Sequence, residues 1–166
     1  MKAIFIIHIP FPLKKSIINL SMKKVLLTLL TVMLFQNNSP ANHHFPISRD
    51  SKVAVEQGKL LYNQNCASCH QANLSGAKDW NMKLDEDGQR LAPPLNGTAH
   101  TWHHPDSMLH NVIKYGYAKT IKDYKGKMLG FGDKLTDQNI DHILAYIKST
   151  WNDEIYKRQM QISSPN

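Results

Sequence analysis

Cys66-Ala67-Ser68-Cys69-His70 sets two thiols three positions apart, with an imidazole directly after the second. Two thiols at that spacing can reach the two vinyl groups of one porphyrin as thioethers, and the adjacent imidazole is then delivered to one face of the iron. C-x-x-C-H is the attachment sequence for c-type haem. The chain has only two cysteines, so this use consumes both. Three other uses compete less well. A thioredoxin-like redox pair needs a preceding strand in a βαβ unit, and none is suggested here. A zinc site needs two further ligands at a recognisable spacing. A structural disulfide is the third.

Working outward from the motif, Ser51 suits a helix cap, and Val53, Leu60 and Leu61 give a partial apolar stripe, which predicts a helix over about residues 51–62. Gly58 lowers the intrinsic propensity of that helix and points to close packing by another one. Residues 71–104 are rich in Gly, Asn, Pro and Asp and lack periodicity, so they read as loop. A loop that long in a small domain is expected to wrap something. A second helix is predicted from Pro105, at its first position, to Gly116, with Met108, Leu109, Val112 and Ile113 facing inward. Thr136 and Asp137 open the clearest helix, whose stripe is Ile140, Ile143, Leu144, Ile147 and Trp151. Past Asn152 the stripe fades, and residues 153–166 read as a C-terminal tail. With no strand alternation and no repeat, the fold class is all-α.

An iron held by His70 needs a sixth ligand or an open site, and that choice separates electron transfer from gas or peroxide chemistry. Of the seven methionines, Met1, Met22 and Met33 lie in the N-terminal leader. Met82 follows His70 too soon to cross to the opposite face, Met108 lies on a helix stripe, and Met160 lies beyond the last predicted helix. Met128 remains, in Gly126-Lys127-Met128-Leu129-Gly130-Phe131-Gly132, where the glycines let the segment bend and point a thioether inward. The other reading makes Met128 a half-exposed loop residue and leaves the iron open or bis-histidine.

Cys66 to His70, Met128 58 residues later, Gly58-x-x-x-Tyr62 and Leu144-Ala145-Tyr146-Ile147 together resemble a class I cytochrome c, over roughly residues 51–152. The resemblance implies crossing N- and C-terminal helices, meeting at Gly58, Tyr62, Ile143 and Tyr146, with the haem wrapped by loops. Pro93-Pro94-Leu95-Asn96-Gly97 is similar to the family's P-x-L-x-G stretch, which implies that the Pro93 carbonyl accepts from the second ring nitrogen of His70 and that Leu95 packs on the haem. The stretches from Ala92 to Pro105 and from Phe131 to Leu135 resemble a soluble bacterial monohaem branch. Leu129 stands where many relatives have proline, which predicts a looser ligand loop. The implied function is one-electron transfer between redox partner proteins by a single covalently attached haem c, with no bond-making chemistry. The competing class is a haem enzyme or a gas or peroxide sensor with a labile sixth ligand.

Lys23-Lys24, the apolar run Val25 to Phe35 and the polar Gln36-Asn37-Asn38-Ser39 follow the order of a secretory signal, so residues 1–41 are expected to be a targeting segment with a true start at Met22. No good A-x-A site is visible, and Ser39-Pro40-Ala41 is the nearest small-residue cluster. Residues 42–50 read as a linker and 51–152 as the domain. The expected destination is the periplasm, with peripheral or anchored attachment if the signal is retained. The apolar run is short for a bilayer span, and a monomer is expected.

The chain carries 20 basic and 13 acidic residues, but five lysines and no acid fall in residues 1–41, which leaves the remainder at only +2. That balance argues against nucleic acid as a partner. Six lysines against two aspartates between Lys114 and Lys134 form a local basic stretch suited to an acidic redox partner, or simply an ordinary surface. His100, His103 and His104 crowd beside Trp102, and loop packing is favoured over copper or zinc. Asp85-Glu86-Asp87-Gly88 reads as a solvated turn, because the calcium-loop positions around it are not filled.

Overall fold

The computed structural model describes residues 45–119 and 121–164. The leader expectation falls on residues 1–41 and lies outside them. Among the described residues there are five α-helices and no sheet: α1 Lys52–Asn65, α2 Ala67–His70, α3 Asp106–Tyr115, α4 Asp137–Ser149 and α5 Asp153–Ser163. Isolated bridges join Leu84 to Arg90 and Gly116 to Leu129. No helix among these residues is long and apolar enough to cross a membrane.

Ser51 Oγ accepts the Ala54 N–H and starts α1, which runs one turn further than the stripe predicts and stops only where Cys66 begins the next turn. Its buried face is Gly58 and Tyr62, whereas Val53 and Leu60 are exposed. The reason is the manner of packing. A Cβ on Gly58 would lie 1.8 Å from the His142 carbonyl oxygen of α4, so the two helices touch backbone to backbone. A contact that close leaves room for Tyr62, tilted against Tyr146 with ring centroids 5.4 Å apart, and turns Val53 and Leu60 away while Leu61 stays half-buried on the core.

The longest apolar stripe produces the best-buried element. Thr136 and Asn139 form a capping box at the start of α4. Ile140, Ile143, Leu144, Ala145, Tyr146 and Ile147 then enter a core shared with Tyr62, Leu74, Ile113 and Leu135. In α3 the inward face is Asp106, His110 and Ile113, with Leu109 and Val112 half-buried. Met108 is turned outward, contrary to the stripe reading, because Asp106 and His110 occupy the buried side. Pro105 caps α3 rather than occupying its first turn, and Gly116 ends it.

Residues 153–163 are not a tail. Asn152 accepts the Ile155 N–H and starts α5, in which Gln159 and Ser163 are buried. The burial is polar, which is why no apolar stripe announced it. Gln159 Nε2 donates to Asp106 Oδ1 (2.7 Å), and Ser163 Oγ accepts the Asp106 N–H (2.9 Å). Lys148, fully buried at the end of α4, pairs with Asp106 at 2.9 Å and donates to the Ile47 carbonyl at 2.5 Å. Residues 45–50, expected as linker, join the same network, since the Ile47 N–H donates to Asp106 Oδ2 at 2.6 Å.

Candidate functional site

The motif sits where α1 passes into α2. Cys66 ends the first helix and starts the second, and its carbonyl accepts the N–H groups of Cys69 (3.2 Å) and His70 (2.9 Å). Both thiols and the imidazole are thereby held on one short turn. Cys66 is half-buried against the core and Cys69 is exposed. Burial, reinforced by the neighbouring Cys69, pushes the Cys66 thiol up to about 11, so it stays protonated at neutral pH.

His70 Nδ1 lies 2.8 Å from the Pro93 carbonyl oxygen, which can only accept, so Nδ1 carries the hydrogen and Nε2 keeps a free lone pair. Burial holds this imidazole below the usual histidine range against the opposing effect of the Pro93 bond. It is therefore neutral, the form that binds a metal.

Pro93 is itself fixed in place. The Gly76 N–H donates to the His70 carbonyl (3.0 Å), Ala77 N–H to Ala92 O (2.8 Å) and Leu95 N–H to Leu74 O (2.8 Å). Gly76, at φ +72°, lies so near the Pro93 and Pro94 backbone that a Cβ would come within 2.5 Å of it. The Leu95 carbonyl accepts Trp151 Nε1–H at 2.7 Å, which ties this loop to the end of α4.

Met128 comes from a separate loop, half-buried and packed on the core together with Leu95, Trp102, Leu109 and Phe131. Its hydrogen bonds run to Tyr117 and Tyr124 rather than to the His70 turn. The loop lies along the end of α3. Phe131 N–H donates to Ile113 O and Gly132 N–H to Lys114 O, both at 2.9 Å, and Gly116 bridges Leu129. Lacking a proline at 129, the segment is nonetheless clamped by backbone pairing.

The weaker sequence signals are also placed. His100 and His103 are exposed, and the ring of His100 lies 6.4 Å from that of His103 and 6.1 Å from that of His104. Among the described residues no group of His, Cys, Asp and Glu side chains is arranged to hold a metal ion. Asp85 to Gly88 is a turn closed by Asp85 N–H to Gln89 O. Within the lysine stretch, Lys114 pairs with Asp137, and Lys127 lies near Asp85 and Glu86. Sequence reasoning missed Tyr124, the indole bond of Trp151 and the Lys148–Asp106 pair. None has a signal in spacing, because each bond joins segments distant in sequence or crosses a turn of irregular shape.

The donor set fits a covalently held haem: two thiols on one turn and a neutral imidazole with one nitrogen already bound, with the Met128 thioether on a separate loop packed against the same core. The cytochrome c family model matches residues 55–151, more than half the chain, and the chain belongs to that family. Its cofactor is one covalently attached haem c, with which the Cys66 and Cys69 pair is consistent, and a domain of this family implies haem-based electron transfer with redox partners.

Among curated proteins the chain is similar to the Cbb3-type cytochrome c oxidase subunit FixP of Azorhizobium caulinodans, 28% identical over 98 residues, covering 58% of this chain and 29% of that protein. It is similar to the fructose dehydrogenase cytochrome subunit of Gluconobacter japonicus, 29% identical over 117 residues, covering 67% of this chain and 22% of that one. It is also similar to cytochrome c-555 of Prosthecochloris aestuarii, 29% identical over 111 residues, covering 58% of this chain and 93% of that protein. The chain thus spans less than a third of the two larger relatives. No solved structure matches it.

Proposed function

We propose that this chain is an exported one-electron carrier in which Cys66 and Cys69 would anchor the haem, and His70 and Met128 would bind its iron. The observation that carries this reading is the 2.8 Å contact between His70 Nδ1 and the Pro93 carbonyl, which leaves Nε2 as the only ring atom able to bind iron. The bound haem supplies an iron that accepts and returns one electron.

The remaining work falls to the chain's own residues. Pro93 fixes the tautomer and orientation of the imidazole. Leu95 and the half-buried Trp102, Leu109 and Phe131 offer apolar surface that excludes water and keeps reorganisation small. A soft thioether from Met128 favours the ferrous state and raises the potential. With Met128 bound to the iron no open position would remain for substrate, which separates this reading from a haem enzyme or gas sensor. The match to nearly the whole of cytochrome c-555 supports a free-standing carrier. Export to the periplasm is supported by the order of charge and apolar residues in the leader.

Absorption spectroscopy of the matured protein tests the ligand assignment. The ferric form is expected to show the weak red-edge band of thioether ligation, and the ferrous form is expected to resist carbon monoxide. Met128→Ala should abolish the band and admit the gas. Ready carbon monoxide binding by the unaltered protein would replace the carrier with the sensor or enzyme. Intact mass gives the haem increment and the mature N-terminus together; a mass that retains residues 1–21 would refute the leader assignment.

A further inference from the structure

We propose that Tyr124 is a positioning residue for Met128, acting by a bond from its side chain to the ligand's own peptide; this rests on Met128 being the iron ligand. The Met128 N–H donates to Tyr124 Oη at 3.2 Å. On the other side, the Met128 carbonyl accepts the Tyr117 N–H at 3.3 Å. The backbone that carries the thioether is therefore gripped at both polar groups. The two tyrosines that do this pack on each other, with ring centroids 5.8 Å apart.

The turn is shaped for this contact. Gly126 is buried beneath the Tyr124 ring, and a Cβ there would lie 2.3 Å from the ring carbon that bears the hydroxyl. Only a glycine lets the ring lie across the turn and bring its oxygen to residue 128. From Leu129 onward the loop is held by the end of α3. Before it, among the described residues, Tyr124 Oη is the only acceptor seen for the Met128 amide. Removing that oxygen frees the upstream half of the loop while leaving the downstream half tied. Met128 would then hold the iron less firmly, and an exogenous ligand would displace its thioether more readily, with no change in redox state.

The test uses the ferric, haem-loaded protein mixed with imidazole. Tyr124→Phe keeps the ring over Gly126 and removes only the hydroxyl. One hydrogen bond of ordinary net strength corresponds to about a three- to tenfold change in the open population. The variant should keep the thioether band and the helical circular dichroism, yet capture imidazole faster by that factor. Gly126→Ala, which displaces the ring, should act in the same direction. In the ferrous protein the Met128 amide should exchange with solvent faster by a similar factor in Tyr124→Phe. Tyr115→Phe, at an exposed tyrosine, serves as the control and should change nothing.

Wild-type capture and exchange rates in Tyr124→Phe overturn the proposal, as does an equal acceleration in Tyr115→Phe. If instead the unaltered protein lacks the thioether band and Met128→Leu leaves imidazole capture unchanged, the ligand assignment itself falls. A band present in the wild type and lost in Met128→Leu, with Tyr124→Phe silent, removes only the role of Tyr124.

Discussion

Gly58 illustrates how a single missing carbon sets the position of two helices. A methyl group there would occupy the space of the His142 carbonyl and press on Tyr146 Cβ at 3.0 Å. Neither neighbour can rotate away, because one is backbone and the other is held by the core. Gly58→Ala should therefore cost about 3 kcal/mol or more, at the upper end of overpacking effects. Gly88→Ala, with nothing within 4 Å of the added carbon, should cost about 1 to 2 kcal/mol from its left-handed backbone alone. Urea denaturation of both variants checks the order. At this scale the sequence was partly readable. A glycine inside a helical pattern announces a close neighbour without naming it, and C-x-x-C-H announces its chemistry through spacing alone. The indole of Trp151 and the hydroxyl of Tyr124 gave no such notice, since an aromatic residue on a stripe or in a loop looks the same whether or not its polar atom is bonded.

Among the elements, α4 was legible because its burial is apolar and periodic, and α5 was not because its burial is polar. Gln159 and Ser163 enter the interior through Asp106, which also holds Lys148 and the Ile47 amide. Burial depresses the Lys148 ammonium from its ordinary range, and the Asp106 carboxylate opposes that. Lys148→Met removes the only cation of this group and leaves a carboxylate buried with neutral donors. It should destabilise the protein by about 3 to 5 kcal/mol. Adding Asp106→Asn should recover part of that loss, because the uncompensated charge is then gone. A double-mutant cycle from denaturant melts measures the recovery, and a pair of fully additive effects would show that the charge is not what matters. A chain read by hydrophobic period alone sees Asp106 as an ordinary first-turn acid and Lys148 as an ordinary last-turn base.

For the whole molecule the pH response follows from its tyrosines. Burial raises the phenols of Tyr62, Tyr117 and Tyr146, most strongly Tyr62, whose hydroxyl donates to the Gln71 carbonyl at 2.8 Å. Above the ordinary tyrosine value of about 10 the unfolded chain gives up these protons while the folded chain keeps them. Unfolding then releases protons, so stability is intact below that pH and falls as the pH rises beyond it. Thermal melts of the haem-loaded protein should show the decline, and Tyr62→Phe should flatten its slope. The charge pattern was less legible at this scale, because two of the six lysines counted as one stretch are paired, Lys114 with Asp137 and Lys127 with Asp85 and Glu86. Ile47 and Ser163 both bond to Asp106, and Arg49 pairs with Asp153 and donates to Trp151 O. The entry and exit of the domain are thus neighbours although more than a hundred positions separate them. A circularly permuted gene, with a short flexible join across that meeting point and new termini opened at the exposed Asp87-Gly88 turn, should still encode a red protein.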